Sequence, residues 1–400
     1  MKRVFKIGGY SLAALAGLAA IGWIAIGPQW RMFLKNPPLD NKVLFWTQEQ
    51  RDSGFALSDK LPIISSEVIK AGESIRELPI GPPLPLDFDI DRYMIDQNSA
   101  AIVVLHKGAV RLERYGLHQT AASRWTSFSV AKSFTSTLIG IAIADGDIAS
   151  LDDKVSDYVP GLKGSAYDDV NIQQLLTMTS GVDWNENYAD PESDVAKFSQ
   201  VEIVEGEPAT VTYMKRLPRA HPAGVKFNYS TGETNLVGIL LEAATGATLS
   251  NYLSDKIWKP FGMQQDASWV ISKTGEAISG CCLQAVARDY ARFGQFILEN
   301  GEINGKSILP TDWLSEATRV QQKVPYDPRR DYGYQWWPMD NGAFTAGGIF
   351  GQGIFIDPKR ELIIVTHSSW RDARGAETGQ SDARYTFYEL VRQAIDAEAK

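Results

Sequence analysis

The chain has 400 residues, 44% of them hydrophobic and 22% charged, with a formal net charge of −8. Such a chain can bury one large core or two smaller ones, and its negative balance argues against nucleic acid, because phosphate binding needs a basic face. Its two cysteines, Cys281 and Cys282, are neighbours, so they cannot staple distant parts of the fold; with no Cys/His metal spacing, they are expected to be small packing residues, and no metal or cofactor is expected.

At the N-terminus, Lys2, Arg3 and Lys6 precede an uncharged run from Ile7 to Trp30, and Arg31 and Lys35 follow it. A hydrocarbon core needs about 20 apolar helical residues, longer than the usual core of a cleaved signal. Residues 1–30 are therefore expected to be a membrane anchor in preference to a removed signal. The positive residues before the span place the folded domain outside the cytoplasm, in the periplasm or cell envelope, or secreted if the segment is cleaved. Residues 31–86 read as an extended connector punctuated by Pro37, Pro38 and the prolines from Pro79 to Pro85, since proline fixes φ and removes a donor.

A globular domain is expected over 87–400. It opens with a hairpin, Ile102–Leu105 and Ala109–Glu113 around Lys107-Gly108, and closes with another, Gly353–Ile356 and Leu362–Thr366, followed by a helix from Tyr385. Between them, helical patterns run over Ser129–Ala144, Asn171–Thr179, Glu233–Thr245 and Val286–Asn300. Strands at both ends with helices between imply an α+β fold: an antiparallel sheet flanked by helices, with an all-α lobe inserted within about 145–330. A cleft between such lobes is a favoured place for a site.

One stretch carries reactive chemistry, Thr126-Ser127-Phe128-Ser129-Val130-Ala131-Lys132. Thr126 or Ser127 is placed to cap the helix, which puts Ser129 in its first turn. Lys132 then shares the face of Ser129, three residues on. A serine hydroxyl needs a base, and a lysine serves as one only if burial or a nearby cation lowers its pKa. The Ser129 amide, in a first turn, is free to face a developing oxyanion. Ser-x-x-Lys is a common spacing, so the flanking residues decide: Phe128, Val130, Phe134, Leu138 and Ile139 make this an apolar face. Tyr229, at a loop–helix junction, is placed to pass a proton to a leaving group. Gly347-Gly348-Ile349 leads into the last hairpin, where glycines admit a close approach and the Ile349 amide is a candidate second oxyanion donor.

Ser129-Val-Ala-Lys132, Tyr229-Ser-Thr-Gly-Glu-Thr-Asn235 and Gly347-Gly-Ile-Phe-Gly-Gln352 occur in the order of the serine β-lactamase/penicillin-binding-protein superfamily. Residues 95–395 resemble its class C-related branch, most of all the 6-aminohexanoate-dimer hydrolases and related carboxylesterases. The resemblance implies a β-lactamase/transpeptidase-like fold and a small-molecule amide or ester substrate. It makes Ser129 the nucleophile, Lys132 its base and Tyr229 a proton relay, with an oxyanion hole at the amides of Ser129 and Ile349. Trp184-Asn-Glu-Asn-Tyr188 resembles the loop whose tyrosine covers the substrate amide, which makes Tyr188, Trp184 and Gly348 substrate-contact candidates. Thr231 and Gly347-Gly348-Ile349 depart from the β-lactamase patterns, and Ser199 stands near where an acidic residue improves nylon-oligomer hydrolysis; β-lactamase or D-amino-acid peptidase activity is the alternative.

Other readings are weaker. Lys273-Thr274-Gly275 spells the β-lactamase triplet but precedes an expected helix rather than the last hairpin. His367, at the end of the last strand, is a further substrate-pocket candidate; it would also have to be the base of a Ser-His-Asp hydrolase, for which no Gly-x-Ser-x-Gly elbow is present. A non-catalytic, membrane-tethered scaffold would not need Ser129, Lys132 and Tyr229 together.

Overall fold

A computed structural model describes residue 15 and residues 17–398, the side chain of Ser199 excepted. The run from Ile7 to Trp30 thus lies partly outside the described residues. Its described part is helical over 17–25 and leaves Leu18, Ile21 and Ile24 66%, 66% and 72% exposed. Among the described residues, no single helix is long and apolar enough to cross a membrane.

The expected connector is largely folded. Helices form at Pro28–Lys35 and Gln48–Gly54, the second opened by a capping box in which Thr47 and Gln50 exchange side-chain and backbone hydrogen bonds. Phe33, Trp46, Phe55, Leu57 and Leu61 then pack with Trp125, Phe128 and Phe350, on either side of Ser129. The Pro79–Pro85 stretch is extended, as its prolines dictate, but it lies along an edge strand: Val110 donates to the Pro79 carbonyl at 2.8 Å, and Gly81 donates to the Val110 carbonyl at 3.0 Å.

Two antiparallel sheets flank the site, where the sequence suggested one. The smaller joins β1 (Ser66–Ile69), β4 (Arg124–Thr126), β5 (Ala267–Val270) and β6 (Leu283–Val286) in the order β1-β5-β6-β4. The larger joins β2 (Ser99–His106), β3 (Ala109–Tyr115), β9 (Trp337–Pro338), β10 (Phe344–Gly348), β11 (Gln352–Asp357) and β12 (Leu362–Ser368) in the order β3-β2-β12-β11-β10-β9. A minor hairpin, β7 (Glu302–Ile303) and β8 (Lys306–Ser307), stands apart. In the larger sheet Val103 faces Val365 and Gly347 faces Gly353, so the first and last expected hairpins become neighbours. The Gln380–Glu398 helix covers one face through Phe387, Tyr388 and Val391; Ala287–Leu298 covers the other.

The Ala131–Asp145 helix crosses the core and is buried nearly all round. That burial is matched by its serines and threonines, three of which meet loop carbonyls while Thr137 donates back to the Ser133 carbonyl within the helix at 2.7 Å. Ser133 donates to Gln335 at 2.8 Å, Thr135 to Ser279 at 3.0 Å and Ser136 to Tyr334 at 2.6 Å. The same bonds lash the helix to the loops that line the cleft.

Candidate active site

Ser129 sits in a 3-10 turn, Phe128–Val130, that feeds the Ala131–Asp145 helix. Neither Thr126 nor Ser127 caps that helix. Ser127 instead extends the β4–β6 pairing: its amide donates to the Leu283 carbonyl at 2.8 Å, and its hydroxyl accepts from the Leu283 amide at 3.0 Å. The turn is therefore held by a sheet, and Ser129 is 8% exposed at the cleft floor.

Lys132 is 2% exposed, and its ammonium donates to the Gly280 carbonyl at 2.7 Å and the Thr231 hydroxyl at 3.1 Å. Burial outweighs the opposing influence of Glu186 and brings its pKa down to about 8. Its nitrogen lies 5.3 Å from the centre of the Tyr229 ring. Tyr229 is partly buried against Tyr332 and Trp337, and desolvation together with Glu186 pushes its phenol far above the ordinary value, although Ser129, its hydrogen-bonding neighbour, acts the other way. Of the two groups near Ser129, only Lys132 can lose its proton near neutral pH.

Glu186 joins the parts. It accepts from the Thr231 amide at 3.0 Å and the Tyr188 hydroxyl at 2.9 Å, and also from the Thr231 hydroxyl and the Trp184 indole. Thr231 thus relays between Lys132 and Glu186. The carboxylate favours the charged lysine, so Glu186→Gln should lower the Lys132 pKa further. The acid limb of a pH–rate profile should then move to lower pH, and a limb moving upward or staying put would refute the linkage.

On the opposite wall, β10 approaches so closely that a side chain on Gly348 could not fit: a Cβ there would stand 2.6 Å from the Ser127 carbonyl oxygen and 3.1 Å from the Ser129 nitrogen. The turn that carries Ile349 is fixed from below by Gln352, which donates to the carbonyls of Phe350 at 3.1 Å and Ser368 at 2.8 Å and accepts from Trp125 at 3.0 Å. Among the described residues, neither the Ser129 amide nor the Ile349 amide donates to a protein acceptor.

Ser129, Tyr188 and Ile349 border both arms of the cleft, and Gly348 and Tyr229 border one of them. Trp184 and His367 border neither. Trp184 is buried behind Glu186 against Phe198 and Tyr213. His367 is 2% exposed with its ring edge-on to Tyr290, and burial lowers its pKa to about 3, so it stays neutral. It packs against Tyr290 behind the site. Lys273-Thr274-Gly275 lies in the loop between β5 and β6, ahead of the Ala287–Leu298 helix and away from the last hairpin.

The cysteines depart furthest from the expectation of two packed thiols. Cys281 and Cys282 form a disulfide with each other, directly after Gly280, and border the cleft. Nothing in the spacing of adjacent cysteines distinguishes such a ring from two packed thiols. Glu186 was legible only as part of the Trp184–Tyr188 segment.

The Beta-lactamase family model matches residues 89–385. A 6-aminohexanoate-dimer hydrolase of Paenarthrobacter ureafaciens is 28% identical over 298 residues, 71% of this chain and 76% of that protein. A beta-lactamase of Yersinia enterocolitica is 24% identical over 315 residues, 70% and 76% of the two chains. A solved Bacillus anthracis structure, carrying the provisional name 6-aminohexanoate-dimer hydrolase, superposes with a TM-score of 0.78 at 25% identity, over 91% of this chain and 98% of its own. A class C beta-lactamase variant, 17% identical with a TM-score of 0.54 over 76% and 95% of the chains, shares the fold.

Proposed function

As the chain belongs to the beta-lactamase family and is a serine hydrolase of that type, we propose that it cleaves an amide or ester through a covalent acyl-enzyme on Ser129. The observation that carries this reading is the meeting of Ser129, a buried Lys132 and Tyr229 beside the unspent amides of Ser129 and Ile349.

Neutral Lys132 takes the Ser129 proton as Oγ attacks the carbonyl carbon. The resulting oxyanion is held by the amides of Ser129 and Ile349. Tyr229 gives its proton to the leaving nitrogen or oxygen as the bond breaks and is reprotonated from the Lys132 ammonium. Water then enters, loses a proton to the same relay and releases the acid, restoring Ser129. Tyr188, tethered by Glu186 at the cleft, contacts the substrate. Acid quenching during turnover of a p-nitrophenyl ester tests the scheme: the intact mass should rise by one acyl group, carried on the peptide containing Ser129. An acyl group on any other residue overturns it.

Residues 1–30 are read as a membrane tether that leaves this domain outside the cytoplasm. The uncharged run after Lys2, Arg3 and Lys6 and the exposed Leu18, Ile21 and Ile24 support that reading. The full chain should sediment with membranes after alkaline washing, and a chain lacking residues 1–25 should not; equal partitioning refutes the tether.

A further inference from the structure

Two arms of different chemistry meet at Ser129. One, of about 260 Å³, is bordered by Val43, Phe45, Ile64, Ile203, Ile271 and the Cys281–Cys282 disulfide. Phe45, Ile63 and Ile203, which all border it, stay 42%, 43% and 46% exposed. Large apolar side chains are thus left facing a cavity rather than the core, which marks a surface built for an apolar ligand. The disulfide adds a compact, polarisable patch with no strong hydrogen-bonding group. The charged side chains bordering this arm are Lys42 and Lys273, and no carboxylate borders it among the described residues.

The other arm, of about 180 Å³, holds Tyr229, Tyr326, Asp327, Trp337 and several arginines, of which Arg330 pairs with Asp327 at 2.8 Å and stacks on Trp337. Tyr229 borders this arm and not the apolar one. A group that protonates the leaving atom must stand on the leaving group's side, so the arginine-rich arm takes the leaving group. The apolar arm is left for the acyl half.

We propose that the apolar arm selects an uncharged, straight-chain acyl group and rejects one ending in an ammonium. The proposal rests on the serine-hydrolase reading above. An ammonium in this arm would lose water, meet no carboxylate and face the two lysines, whereas a hydrocarbon chain of the same length gains apolar contact along the walls. Val43, Phe45 and Ile64 lie outside the family-matched stretch 89–385, so this part of the wall comes from the N-terminal segment that folds over the cleft.

Initial rates on p-nitrophenyl acetate, butyrate, hexanoate and octanoate, and on the 6-(trimethylammonio)hexanoate ester, test this. In the native chain kcat/KM should rise at least about ten-fold from acetate to hexanoate, and hexanoate should exceed its charged counterpart at least about ten-fold. Ile203→Glu, at a position exposed enough to accept a carboxylate, should narrow or reverse the second ratio. Intact acetate turnover with a flat chain-length profile, with the charged ester preferred, or with ratios indifferent to Ile203→Glu overturns the acyl assignment alone. Absence of turnover together with absence of any Ser129 adduct fells the hydrolase reading, and this proposal with it.

Discussion

Ser129→Ala is expected to abolish labelling by a fluorophosphonate probe and to reduce ester turnover by at least about 10⁴-fold. The 3-10 turn is held through Ser127 and Leu283 rather than through the Ser129 hydroxyl, whose partner is Tyr229. The variant should therefore keep its thermal midpoint while losing activity. The two amides of the oxyanion hole survive the substitution, so a small residual rate above that in water is compatible with the scheme. A persistent probe adduct on the alanine variant would remove Ser129 from the mechanism.

Lys132→Ala should cost about 10²–10⁴-fold in kcat/KM, the usual reach of general-base catalysis. The native enzyme should gain activity as pH rises through about 8, because only the neutral amine accepts the Ser129 proton. The variant should lose that limb altogether, a signature that simple structural damage would not produce. Stability moves in the same direction with pH. The folded pKa of Lys132 lies below its ordinary 10.5, so the unfolded chain binds more protons between about pH 8 and 10.5, and native stability rises with pH there by ~1.4 kcal/mol per unit from this group. The charged lysine that must be buried below pH 8 is a cost kept for function. A native pH–rate profile flat from pH 6 to 9 would argue that another group takes the proton.

The glycine-rich Ile349 turn, Ser129 and Tyr229 were legible because each depends on local chemistry: a serine and lysine one turn apart, a tyrosine just before a helix, glycines before a hairpin. The main helices and hairpins followed from periodicity, and their limits shifted by only a few residues, as at Ala131–Asp145. Residues 31–86 depart from the expected connector because proline marks an extended backbone but says nothing of whether the segment packs. The Thr47-x-x-Gln50 capping box was a visible counter-signal, but what folds this segment is burial of Phe33, Trp46 and Phe55 against residues far along the chain.

By itself the sequence determined that Ser129 and Lys132 share a helical turn in apolar surroundings, because helix geometry and side-chain polarity are properties of neighbours in the chain. Only the tertiary structure decided what those residues become. Burial contributed by distant segments sets Lys132 near 8 and keeps His367 neutral behind the site. Folding brings Glu186 onto Thr231 and Tyr188 and turns two adjacent cysteines into one wall of the cleft. Desolvation and convergence sum over the whole fold, and no local pattern encodes them.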